Sequence, residues 1–64
     1  MTATEFRETG VRLYGEDWRW PLAKALRVSP VTLWRYANGM SRVPYTVELT
    51  MKAWVALGPP TIVR

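Results

Sequence analysis

The chain has no cysteine and no histidine. Without cysteine there is no disulfide framework, no thiol nucleophile and no zinc–thiolate site. Without histidine there is no imidazole base, no Ser-His-Asp triad and no imidazole metal ligand. Catalysis, cofactors, bound metals and small-molecule ligands are therefore not expected. Acidic residues are few, five against nine Lys and Arg, and none stands between Trp18 and Val47. Apolar runs fall far short of the roughly 20 residues that span a bilayer, so no membrane partner is expected. The stretch MTATEFRETG is polar and carries two glutamates, unlike a secretory signal. The expected location is cytoplasmic.

Sixty-four residues suit one small domain. A hydrophobic content of 48% and four Trp provide for a packed core. The net charge of +4 is unevenly placed: Arg19, Lys24, Arg27, Arg35 and Arg42 give Trp18 to Val47 a charge of +5, and the remainder sums to −1. Such a block is an electrostatic footprint for a polyanion. The competing explanation is a solvated surface that keeps the protein soluble.

Glycine and proline divide the chain into four helical segments, so the expected fold is all-α. The first runs over about 3–14. Thr2 and Glu5 fit a capping box, Phe6, Val11, Leu13 and Tyr14 supply an apolar stripe, and Gly15 stops it. Gly10 costs this helix about 1 kcal/mol against Ala. The second covers about 18–26, with Asp17 as N-cap and Pro21 in its first turn. The third covers about 30–38, capped by Ser29 with Pro30 at N1 and closed by Asn38-Gly39. The fourth covers about 45–57, with Pro44 as a candidate N1 and Gly58-Pro59-Pro60 as terminator. Residues 1–60 then form one domain and 61–64 a short tail, frayed or a strand in need of a partner.

Only Arg27-Val28-Ser29 joins the second and third segments, and so short a link makes two helices cross steeply. Ala23 is small where the helices approach, and Leu22, Leu26, Val28, Leu33 and Tyr36 surround it with apolar positions. The string W-x-x-P-L-A-x-A-L-x-V-S-x-x-T-L-x-R-Y-x-x-G from Trp18 to Gly39 resembles the lambda repressor and Cro type of DNA-binding helix-turn-helix. Val43-Pro44-Tyr45-Thr46-Val47 is similar to the start of the last helix in anti-CRISPR-associated repressors. The first family usually has glycine where Arg27 stands, because the turn residue takes a positive φ. Either Arg27 carries strain or this turn differs.

The resemblance implies that the third segment lies in a DNA major groove, N-terminal end first. Pro30, Val31, Trp34, Arg35 and Asn38 would then face the bases. Arg35 is the best reader, since arginine bonds guanine O6 and N7 together, with a phosphate contact or a solvated charge as the alternative. Pro30 and Val31 have no side-chain donors and would touch thymine methyls, or merely start the helix. Arg19, Trp20, Arg27, Thr32 and Arg42 are candidates for phosphate contact, with a plain surface role as the alternative for each arginine. Trp18 is read as core.

The last segment has two apolar stripes. Leu49, Ala53, Ala56 and Leu57 form one, expected to close the core. Val47, Met51, Trp54 and Val55 form the other, expected to meet a second copy of the chain, the alternative being that both stripes are buried within one molecule. A two-fold dimer would set half-sites about 34 Å apart. The leading expectation is thus a homodimeric regulator of double-stranded DNA, an autoregulating repressor of a palindromic operator. The alternative is a protein-binding module, a phage inhibitor or antitoxin, favoured by the apolar Pro30, Val31 and Trp34. Glu16 beside Asp17, and Glu5 near Glu8, read as cap and solvated face, so an enzyme is not expected.

Overall fold

The structure is a computed structural model that describes residues 1–62. Val63 and Arg64, within the tail read as 61–64, lie outside the described residues. Four helices follow in order: α1 (Ala3–Tyr14), α2 (Arg19–Leu26), α3 (Pro30–Ala37) and α4 (Tyr45–Leu57). There is no strand among the described residues. The all-α reading holds, with boundaries within a residue of those expected.

Local chemistry explains most helix ends. Thr2 Oγ1 accepts from the Glu5 N–H at 3.1 Å, and Glu5 Oε1 accepts from the Thr2 N–H at 2.9 Å. That reciprocal capping box satisfies two N–H groups that the helix cannot pair internally. Ser29 Oγ likewise accepts from the Thr32 N–H at 3.1 Å, with Pro30 at N1. Two expectations are corrected. The cap of α2 is Trp18, without a side-chain cap bond, and Asp17 is an exposed turn residue. Pro44 is the N-cap of α4, one residue before N1.

The core comprises Phe6, Trp18, Leu22, Ala23, Leu33, Ala37, Val43 and Met51. Phe6 sits at its centre. Its ring meets Trp18 edge-on at 5.9 Å and Tyr36 edge-on at 5.7 Å between centroids, the favoured arrangement of aromatic pairs. One side chain of α1 therefore locates both the entry to α2 and the body of α3. Gly10, one turn further along α1, is buried under the Trp18 indole, where a Cβ would lie 2.4 Å from a ring carbon. The glycine lets the indole lie on the α1 backbone. Val11, expected on the apolar stripe, is exposed.

The roles of the α4 stripes are reversed. Met51 is fully buried, and the half-buried Val47 and Trp54 pack against the core, so these three close the monomer and Met51 is not available to a second copy. Val55 stays at the surface, and Leu49, Ala53, Ala56 and Leu57 face outward. An unbranched, flexible Met suits the irregular gap between helices. Polar contacts tie Met1 and the segment after α4 to this frame. The Met1 amino group donates to Glu48 Oε1 at 2.5 Å, and Lys52 pairs with Glu48 Oε2 at 3.2 Å. Tyr14 Oη donates to the Pro60 carbonyl at 2.7 Å, holding the segment after α4 against α1; partial burial raises the Tyr14 pKa.

Gly10→Ala is expected to destabilise the fold although alanine is the better helix former. Overpacking against Trp18 costs about 1–3 kcal/mol against a propensity gain of about 1. The midpoint of thermal unfolding followed by circular dichroism should fall by several degrees. An unchanged or higher midpoint would refute the packing account.

Glu48 yields an acid dependence. The hydrogen bond from the Met1 amino group, then that from Lys52, hold its carboxyl below its ordinary value of 4.5. A carboxyl lowered on folding contributes stability that is present above its unfolded pKa and lost as pH falls through the folded one. Glu48→Gln should therefore lower the melting temperature at neutral pH and flatten its decline below about pH 4.5. Parallel curves for the two proteins would count against the contact.

Candidate nucleic-acid interface

The link between α2 and α3 is three residues long, and its backbone bonds are satisfied. The Val28 N–H donates to the Ala23 carbonyl at 3.0 Å and the Arg27 N–H to the Lys24 carbonyl at 3.2 Å. This double closure requires a left-handed residue at the helix end. Arg27 supplies it at φ 58° and ψ 40°, the only non-glycine with positive φ among the described residues. Of the alternatives for this position, strain is realised: arginine occupies a conformation that favours glycine. Ala23, nearly buried, leaves room for α3 to pack on α2.

Both ends of α3 are fastened. At its start, Ser29 Oγ accepts from the Thr32 N–H and donates to Thr32 Oγ1 at 2.9 Å. At its end, the Met40 N–H reaches the Arg35 carbonyl at 2.9 Å, with Gly39 at φ 72° permitting the turn. Arg7 of α1 donates from Nη1 to the Ala37 carbonyl. A guanidinium on terminal carbonyls also opposes the negative end of the helix dipole. Leu33 and Ala37 are buried and Tyr36 half-buried, which fixes the rotation of α3 about its axis.

The opposite face of α3 carries Pro30, Val31, Trp34, Arg35 and Asn38, all exposed. Val31 and Trp34 are 57% and 55% exposed, large values for apolar side chains on a helix otherwise anchored in the core. Thr32 is half-buried and engaged in the cap. Asn38 ends α3 as expected of Asn38-Gly39, its Nδ2 donating to the Trp34 carbonyl at 2.8 Å, which engages one amide hydrogen and leaves Oδ1 for an outside partner. Its amide closes the helix.

Arg19, Trp20, Arg27 and Arg42 are exposed beside this face in sequence. The Arg19 guanidinium lies 4.8 Å from the Trp18 ring centroid, and Lys24 Nζ lies 5.9 Å from that of Trp20. These cation–π contacts hold two charges against aromatic surfaces. Arg19, Trp20, Ala23, Lys24, Val28 and Pro30 line a depression of about 270 Å³ that joins α2 to the start of α3. Ion pairing among the described residues involves only Met1, Lys52 and Glu48. Arg19, Lys24, Arg27, Arg35 and Arg42 consequently have no acidic partner among them.

Arg7 is a positioning residue that sequence reading misses, since nothing local links it to Ala37 thirty positions later. Met40 and Tyr45, 68% and 70% exposed, add apolar surface on the path from α3 to α4. Among the described residues, no group of three acidic or metal-binding side chains is placed to hold a metal ion, and no helix is long and apolar enough to cross a membrane. No known family, characterised protein or solved structure matches the chain.

Arg27→Gly is expected to raise stability by about 0.5–1 kcal/mol, the relief of left-handed strain less the entropy of a freer unfolded chain. Its melting temperature should rise by a few degrees. A fall would mean that the Arg27 side chain contributes more to folding than its backbone costs.

Proposed function

We propose that this protein is a sequence-specific regulator of double-stranded DNA, an autoregulating repressor that binds a palindromic operator as a homodimer with α3 in the major groove. The observation that carries the reading is an outward-facing α3, held at both ends, on the same stretch of chain as five cations that have no acidic partner among the described residues. Positive charge without local acids attracts phosphates through counterion release. A fixed helix converts that attraction into register. Arg35 is the base reader, and Arg19, Arg27 and Arg42 contact phosphate. The chain acts by occupying DNA, without chemistry of its own, in the cytoplasm and at the nucleoid. The contact with a second copy falls to the outward α4 stripe of Leu49, Ala53, Ala56 and Leu57, with Val55 beside it. The protein-binding alternative rests on the exposed Val31, Trp34 and Met40.

The test is titration against the duplex immediately upstream of the protein's own gene, with a scrambled duplex alongside, at two salt concentrations. Specific binding should exceed scrambled binding by about 10³-fold or more. Arg35→Ala should cost about 1–3 kcal/mol on the specific duplex only. Arg42→Ala should weaken both duplexes alike and reduce the salt slope by about 1. Equal, salt-sensitive binding to both duplexes would remove specificity for that site. No binding to either at low salt would overturn the DNA reading in favour of a protein partner.

A further inference from the structure

The reading face of α3 is short of hydrogen-bonding groups. Ser29 and Thr32 engage each other in the cap, and the Asn38 amide donates to the Trp34 carbonyl. Pro30 and Val31 have no side-chain donors. Arg35 therefore supplies the charged contact of this face, and Val31 and the Trp34 ring supply its exposed apolar contacts, with the indole N–H and Asn38 Oδ1 as neutral polar groups beside them. Residues 31, 34 and 35 share one side of a helix by their spacing. In the major groove, the apolar feature at a base edge is the thymine C5-methyl, and guanine O6 and N7 match a guanidinium.

From this we infer that the duplex read by α3 presents thymine methyls to Val31 and Trp34 beside a guanine held by Arg35. The inference rests on the DNA reading above and names the base chemistry that such a site would take. The four helical rises from Val31 to Arg35 span about 6 Å of axis, and base pairs stack about 3.4 Å apart. The guanine accordingly lies one or two steps from the thymine. Charge complementarity favours DNA as the occupant, since no acidic residue lies between Trp18 and Val47 to repel its phosphates. Recognition by methyl groups also distinguishes thymine from cytosine and uracil with little hydrogen bonding.

The experiment selects binders from a pool of random duplexes, then remakes the selected duplex with deoxyuridine at each thymine in turn, which removes only the methyl. The expected result is a thymine within two steps of a guanine, and about a four-fold loss for each contacted methyl removed. Val31→Ala should bind thymine and deoxyuridine duplexes more nearly alike. Arg35→Ala should keep that discrimination while losing sensitivity to 7-deazaguanine. Val31 is exposed, and an unchanged melting temperature would confirm that its variant folds. Duplex selection with equal affinity for thymine and deoxyuridine overturns this inference alone. Failure to retain any duplex overturns the DNA reading and the inference together.

Discussion

Everything that α3 presents depends on the Phe6 ring. A short helix has little stability of its own and is fixed by what its inner face packs against. Phe6 offers two edge-on contacts, one with Trp18 at the entry to α2 and one with Tyr36 in α3. Three helices thereby share one reference point. The Gly10 backbone beneath Trp18 makes this arrangement possible, because any larger residue would lift the indole. In a chain of 64 residues the core has little redundancy, and the Phe6 pairs are what hold α1 against the helix pair through aromatic contact.

The contacts around α3 have a common effect. Ser29 fixes its start, Arg7 and the Gly39 turn fix its end, and Leu33 with Ala37 fixes its rotation. A helix held at both ends keeps its outward side chains in constant relation to one another. The strain at Arg27 belongs to the same arrangement. A tight link needs a left-handed residue there, and arginine provides positive charge in return for the conformational ease of glycine.

The sequence makes most of the fold legible because helix ends depend on nearby residues. Thr2 with Glu5, Ser29 with Pro30, and Gly15 and Gly58 all mark boundaries within one turn of the chain they affect. The start of α2 is misread because Asp17 has cap chemistry but stands one residue too early. The faces of α4 are misread for another reason. Apolar residues lie on several sides of that helix, so periodicity does not choose between them; the partners of Met51 on other helices do. The α3 face is legible from Leu33 and Tyr36, which point the remaining positions outward. Arg7 is not legible, since its contact depends on a carbonyl thirty positions away that only the folded backbone brings near.

The four tryptophans occupy distinct surroundings: Trp18 is buried, Trp54 is half-buried, and Trp20 and Trp34 are exposed. Indole emission shifts to the red as water relaxes around the excited ring. The molecule thus contains two optical populations, a blue one belonging to the core and a red one on either side of the α2–α3 link. Unfolding moves the first towards the second, whereas covering the α3 face shields the second and leaves the first in place. A soluble collisional quencher separates the two events without any added label.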